Sequence, residues 1–270
     1  MAKGEMSCWK LVLEYEGTRY SGWQEQKNAR TVSGDLRKAA EKVLQSPVDL
    51  DGAGRTDAGV HALGQVVRLR AKARISNERL FRALNLELPK DMNILSVETV
   101  AENFHPRHDA LRRFYLYQIS IRRTALAKQF VWWIRDSLDL ASMQQACTCL
   151  VGRHDFERFT DKRAGEKSTV VVVERVEMSS SGSLILFRIG ASHFLWKMVR
   201  RIVGALAEVG SKKLSPSDFE HLIRNHPLPS HLSGFSVPAH TAPGAGLFLE
   251  KVVYDDSDDP GDLVPVFPVP

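Results

Sequence analysis

Residues 51–67 read DGAGRTDAGVHALGQVV. Gly52, Gly54, Gly59 and Gly64 allow tight turns and close approach of the backbone to a ligand. Arg55 and Asp57 stand between them. Read from the residues alone, the stretch is either a structural turn, with Asp57 holding a backbone amide, or a ligand-binding loop. It does not fit a phosphate loop of the nucleotide-hydrolase kind. No Gly-Lys-Ser/Thr closes it, and no apolar strand leads directly into it. The longer string Gly54 to Ala62, GRTDAGVHA, is far more specific than its glycine count.

Outward from this loop, strand and helix signals mix. Lys10 to Tyr15 alternates apolar and polar side chains and predicts a strand. Thr31 predicts the N-cap of a helix carrying Val32, Leu36, Ala39, Ala40, Val43 and Leu44 on one face. Gln65 to Arg70 predicts a strand, Ser76 a helix cap, and Ile94 to Val100 a short strand. A second set follows. Arg113 to Ser120 is an aromatic-rich strand, and Leu140, Met143, Cys147 and Leu150 mark a helix ended by Gly152. Thr169 to Met178 and Leu184 to Ile189 predict a hairpin around 179–183. His193 to Val209 predicts a long helix closed by Gly210, Ser215-Pro216 a helix start, and Gly246 to Val253 a last strand. The order suits an α+β design with antiparallel strands and helices on one face. It divides into an N-terminal half over 1–105 and a C-terminal half over 106–254. Residues 255–270, acidic and then proline-rich, predict a disordered tail.

The chain has 270 residues, with 37 Lys plus Arg against 32 Asp plus Glu, and a pI near 9.1. The net charge of +5 hides a gradient. Residues 1–135 hold 23 basic and 15 acidic side chains; residues 136–270 hold 14 and 17. Asp255, Asp256, Asp258, Asp259 and Asp262 cluster in the tail, so residues 1–254 alone carry +10. Such a field attracts a polyanion. No run of about 18 apolar residues predicts a membrane span. Met1 to Lys10 lacks an apolar signal core, and three cysteines without a metal or disulfide spacing predict a cytoplasmic protein.

The string GRTDAGVHALGQV resembles the signature loop of the TruA family of tRNA pseudouridine synthases. Tyr20 to Gln24 (YSGWQ), Phe104 to Tyr117 (FHPRHDALRRFYLY), Val151 to Phe156 (VGRHDF), Phe194 to Gly204 (FLWKMVRRIVG) and Gly246 to Leu249 (GLFL) resemble its other motifs in order and spacing. The resemblance covers about residues 8–254. It implies the pseudouridine synthase fold: two α+β halves sharing a mainly antiparallel central sheet, with helices packed on it and an active-site cleft between the halves. It implies isomerisation of uridine in the tRNA anticodon arm, at positions 38–40, with no metal or cofactor, by a homodimer.

The same resemblance assigns roles. Asp57 is the nucleophile; a carboxylate can add to substrate or take a proton and then leave. A carboxylate in a closed pocket needs a cation to stay charged, and the family's partner falls on Arg200. Read from spacing alone, Arg200 and Arg201 are as well explained as solvated charges. Leu195, Met198, Ile202, Leu206 and Val209 form a core stripe, with His193, Lys197, Arg200 and Gly204 on another. Arg55 fills the space left by the flipped base or contacts phosphate. Leu247 lines the base pocket or belongs to the core. Candidate phosphate contacts are Arg19, Lys27, Arg30, Arg107, Arg112 and Arg113. Trp132 and Trp133 suit a dimer contact or a core.

Two positions depart from the family pattern. The family's base-stacking tyrosine falls on Phe114, which keeps the ring but has no hydroxyl to donate. After Lys167-Ser-Thr, where the family carries a basic residue, Val171 stands instead. The competing readings are an impaired relative that acts as an RNA-binding protein or RNA chaperone, motivated by Phe114, and an unrelated phosphate-binding enzyme.

Overall fold

The computed structural model describes residues 6–161 and 168–269. Lys167, used above, lies outside the described residues. In chain order the strands are β1 (Ser7–Tyr15), β2 (Val48–Gly52), β3 (His61–Ala71), β4 (Met92–Thr99), β5 (Arg112–Ser120), β6 (Trp132–Trp133), β7 (Gly152–Asp155), β8 (Val170–Ser181), β9 (Leu184–Ala191) and β10 (Leu247–Val253). The helices are α1 (Val32–Leu44), α2 (Asn77–Glu87), α3 (Leu140–Cys147), α4 (Met198–Gly210) and α5 (Pro216–Ile223). None is long and apolar enough to cross a membrane. Strands and helices alternate irregularly and the strand pairs are mostly antiparallel, so the fold is α+β.

The chain forms two compact units: Met1–Leu111 with Phe248–Asp259, and Arg112–Leu247 with Pro260–Pro270. The sequence reading placed the final strand in the C-terminal half, but from Phe248 onward β10 belongs to the first unit. The register explains why. Phe248 and Leu249 pair in parallel with His61 and Ala62.

In the first unit β1 lies between β4 and β3, antiparallel to both. The other side of β3 is divided. β2 covers Val67 to Ala71 and β10 covers His61 and Ala62. Leu11, Leu13, Val67 and Leu69 point into a core closed by Leu36 of α1, Leu80 and Leu84 of α2, and Ile94. Of the α1 positions that the spacing predicts, Val32, Leu36, Ala39 and Ala40 are buried, while Val43 and Leu44 are half-buried. Thr31 occupies the N-cap position, yet its side chain makes no capping bond.

In the second unit the antiparallel order is β5-β9-β8-β7, with β6 parallel on β5. The hairpin β8–β9 forms as predicted and turns at Gly182, at φ 56°. The apolar stripe Leu195, Met198, Ile202, Leu206 and Val209 is buried. The helix predicted from His193 starts later, at Met198, because Lys197 takes a left-handed backbone, φ 61°. Its ammonium sits 4.3 Å from the Trp196 ring centre and 3.3 Å from Asp161. His193 and Lys197 therefore share no helical stripe with Arg200. Gly152 does not end α3 directly; Thr148–Leu150 is a further tight turn, and Gly152 opens β7.

The tail, expected to be disordered, is held in place over residues 261–269. Arg188, buried on β9, donates from Nη1 to Gly261 O at 2.8 Å and from Nη2 to Asp262 O at 2.9 Å. Val266 N donates to Gln118 Oε1 at 2.7 Å and Ser183 N to Val269 O at 3.0 Å. Phe267 stacks on Phe130, ring centres 4.0 Å apart. Buried polar groups on the sheet need partners, and the tail's backbone supplies them.

Candidate active site

The loop from Ala53 to Val60 leaves β2 opposite Val67 and returns to β3 at His61. It therefore occupies the side of β3 left open between β2 and β10. Ala53 N donates to Val66 O at 2.8 Å, and Gln65 Nε2 to Gly54 O at 3.0 Å. Both bonds fold the loop back against the middle of β3. Arg55 is exposed and Asp57 half-buried.

The YSGWQ segment is the loop's other wall. Trp23 N donates to Thr56 O at 3.0 Å, and Gly59 N to Tyr20 O at 3.3 Å. Gly22 sits at φ 93°, and a Cβ there would lie 2.7 Å from Thr56 O, so only glycine fits. The Thr56 hydroxyl meets the Tyr15 hydroxyl at 2.8 Å inside the core. Burial pushes the Tyr15 phenol well above its ordinary range. Gly17 N donates to His61 Nδ1 at 3.0 Å, and the His61 ring stacks on Phe248 with centres 4.8 Å apart. Residues on both sides of Asp57 are thus fixed in place. Tyr15, Thr56, His61 and Gln65 escaped the sequence reading; the alternation of β1 and the polar residues His61 and Gln65 set in the apolar β3 were the available signal.

The YSGWQ segment in turn rests on the start of α1. Val32 N and Ser33 N donate to Gly22 O and Trp23 O, both at 3.1 Å, and Ser33 Oγ donates to Trp23 O at 2.5 Å. These carbonyls satisfy amides that a helix start leaves open.

The second unit holds the other assigned residues. Arg200 stands on α4, half-buried. Its Nε donates to Ala242 O at 2.7 Å, and Ala242 N donates back to Arg200 O at 3.0 Å. Gly204, one turn on, admits the backbone of His240; a Cβ there would lie 1.6 Å from His240 O. The segment then meets β5, where Tyr117 Oη donates to Pro243 O at 2.8 Å. Burial raises the Tyr117 phenol well above its usual value, and the Arg200 charge draws it partly back. The segment ends at Leu247, also buried. One stretch of chain therefore ties the positions of Arg200 and Leu247.

Phe114 is buried on β5, directly across from Gly190 on β9. Arg201 is buried, its Nη2 donating to Asp161 Oδ1 at 2.6 Å, and is not a solvated charge. Val171 is fully buried in β8 and serves as core. Trp132 is half-buried, its ring perpendicular to Tyr117 with centres 6.3 Å apart, while Trp133 is exposed beside the Arg123 guanidinium.

The expected phosphate contacts separate by environment. Arg19, Lys27 and Arg107 are exposed. Arg112 is half-buried and 3.4 Å from Glu174. Arg113 is buried and donates to Ser192 O at 2.8 Å. Arg30 lies within 2.8 Å of both Asp35 and Asp91.

Comparison with known proteins fits this arrangement. A family model described as tRNA pseudouridine synthase matches residues 11–109 and 146–255. Three proteins named tRNA pseudouridine synthase A align over nearly the whole chain. The one from Thermodesulfovibrio yellowstonii is 35% identical over 257 residues, covering 91% of this chain and 98% of that protein. The one from Acetivibrio thermocellus is 37% identical over 247 residues, covering 91% and 98%. The one from Dictyoglomus thermophilum is 38% identical over 253 residues, covering 92% and 100%. The chain belongs to the TruA-type tRNA pseudouridine synthases, a family of isomerases.

Proposed function

We propose that this protein converts uridine to pseudouridine in the anticodon arm of tRNA, at positions 38–40, with Asp57 as the nucleophile. The observation that carries the reading is the loop itself. A half-buried carboxylate stands between residues locked by the Trp23–Thr56 and Gly59–Tyr20 hydrogen bonds, on a loop otherwise folded onto β3. Fixed placement of a reacting group is worth several kcal/mol of barrier, on the order of 7 or more in favourable cases.

The reaction breaks the bond from N1 of uracil to ribose C1′, turns the base, and forms the bond from C5 to C1′. The C5 proton leaves to solvent and N1 gains one, so no other reactant is consumed. Asp57 promotes the cleavage, and Arg200 supplies the compensating positive charge. The target base leaves the stack at a cost of roughly a few kcal/mol. Arg55, exposed at the loop, occupies the vacated space. Phe114 offers a ring face for the base and Leu247 an apolar wall. Arg19, Lys27, Arg107 and Arg112 bear on the RNA backbone, which suits recognition of an RNA helix by shape and phosphate. The protein acts in the cytoplasm as a homodimer.

The test uses a tRNA transcript tritiated at uracil C5. Wild type releases tritium and Asp57→Asn does not. Release by the variant at the wild-type rate refutes the assignment of Asp57. Tight tRNA binding by wild type without release supports the RNA-binding alternative, which the missing hydroxyl at Phe114 motivates.

A further inference from the structure

Arg30 carries a charge that the sequence directs at phosphate, but its side chain, 36% exposed, is turned onto two carboxylates. Nη1 and Nη2 donate to the two oxygens of Asp91, each at 2.8 Å, in the paired geometry that suits a guanidinium to a carboxylate. Nε donates to Asp35 Oδ2 at 2.8 Å, and Nη2 also reaches the Tyr20 hydroxyl at 2.9 Å. The guanidinium lies 4.2 Å from the centre of the Tyr20 ring. Tyr20 closes the circle by donating from its hydroxyl to Asp91 Oδ1 at 3.0 Å. One cation faces two carboxylates here, so the cluster does not attract a phosphate.

The cluster is joined to the catalytic loop by backbone bonds. Ser21 N donates to Arg30 O at 2.9 Å. Tyr20 O accepts from Gly59 N, two residues beyond Asp57. Asp91 O accepts from Glu16 N at 3.0 Å, holding the turn that precedes Tyr20. The Arg30 side chain thus fixes the Tyr20 ring, and the Tyr20 carbonyl fixes the loop.

We propose that Arg30, with Asp91 and Tyr20, is a positioning group that sets the Asp57 loop for reaction and does not bind RNA. The proposal rests on the reading of Asp57 as the nucleophile. Displacement of a reacting group by about an ångström costs about a hundredfold in rate. A lysine at position 30 keeps the charge but cannot make the forked contact. The two roles therefore separate cleanly.

The experiment measures kcat and KM by tritium release, and tRNA Kd as a function of salt, for Arg30→Ala, Arg30→Lys and Asp91→Asn. Rates are taken well below each variant's melting transition and divided by the folded fraction. The expected result is a loss of about a hundredfold in kcat for both Arg30 variants and a like fall for Asp91→Asn. KM and Kd stay within about twofold, and the salt slope matches wild type. A phosphate contact predicts the reverse: full kcat for Arg30→Lys, and a slope shallower by about 0.7–0.9 for Arg30→Ala. That pattern, or unchanged kcat per folded molecule, overturns the proposal. If Arg30→Ala does not fold, Arg30→Lys decides. Asp57→Asn runs alongside: an active Asp57→Asn defeats the underlying reading, whereas an inactive one with active Arg30 variants defeats the brace alone.

Discussion

The Phe114 ring lies across the Cα of Gly190 on the neighbouring strand. A Cβ on Gly190 would sit 2.3 Å from the ring, closer than any real contact. Gly190 is thus the floor on which the ring rests. Gly190→Ala should push the ring from its place. We expect a fall of about tenfold in kcat and a stability loss of about 1–3 kcal/mol from overpacking. Tritium release and calorimetry measure the two effects; unchanged values for both refute the packing argument.

Phe114→Tyr adds only a hydroxyl to that ring. Phenylalanine stacks on a base but cannot donate or accept a hydrogen bond. Turnover by Phe114→Tyr is expected to equal or exceed wild type in single-turnover tritium assays. A large loss would mean that the surroundings of position 114 have been rebuilt around phenylalanine.

Truncation after Asp259 removes the carbonyls of Gly261 and Asp262 that Arg188 uses, and the Val266 amide that Gln118 uses. With the tail in place Arg188 is only 1% exposed, and without it the side chain keeps only its Glu177 contact at 3.1 Å among these partners. Stripping partners from buried polar groups costs about 1–3 kcal/mol each. The melting temperature should fall by several degrees, measured by calorimetry. An unchanged melt would show that the tail contributes nothing.

Stability should also respond to acid through Asp91. Burial pushes its carboxyl up, but hydrogen bonds from Arg30 and Tyr20 and the Arg30 charge win, and the folded-state pKa lies below the ordinary carboxylate value. A depressed folded pKa stabilises the protein above the unfolded value, about 3.9, and that contribution is lost as pH falls through the folded pKa. Wild type should therefore lose melting temperature more steeply below about pH 4 than Asp91→Asn, which has no such proton to bind. Parallel curves for the two proteins would contradict the assignment.

Much of the fold was legible because local chemistry and tertiary packing agree. α1 and α5 are examples. Apolar spacing places the buried face of α1, and Ser215 with Asp218 forms a complete capping box on α5. The misreadings have one cause: partners distant in sequence. The start of α4 depends on Lys197, whose ammonium reaches Asp161, 36 residues earlier. The tail reads as disordered by composition, yet Arg188 and Gln118 hold it from 73 and 148 residues away. Among the site residues, Asp57 was legible through its flanking string. Arg30 was not, because Asp91, which neutralises it, lies 61 residues on. A surface arginine and a brace look alike until the partner is known.

The pairing of Phe248 with His61 has a consequence for biosynthesis. The first unit holds the chain's opening 111 residues, but it lacks its last strand until Val253 has been made. During translation, the edge of β3 beside His61 stays open while Arg112–Leu247 of the second unit emerges. His61 gains its stacking partner only at the end. Contacts of such long sequence separation form slowly, and an unpaired edge invites association with other chains. A nascent chain that has not reached Val253 therefore lacks the strand that pairs beside His61. Loss of residues 246–270 would strip His61 of its stacking ring and β3 of its parallel neighbour without touching residue 57.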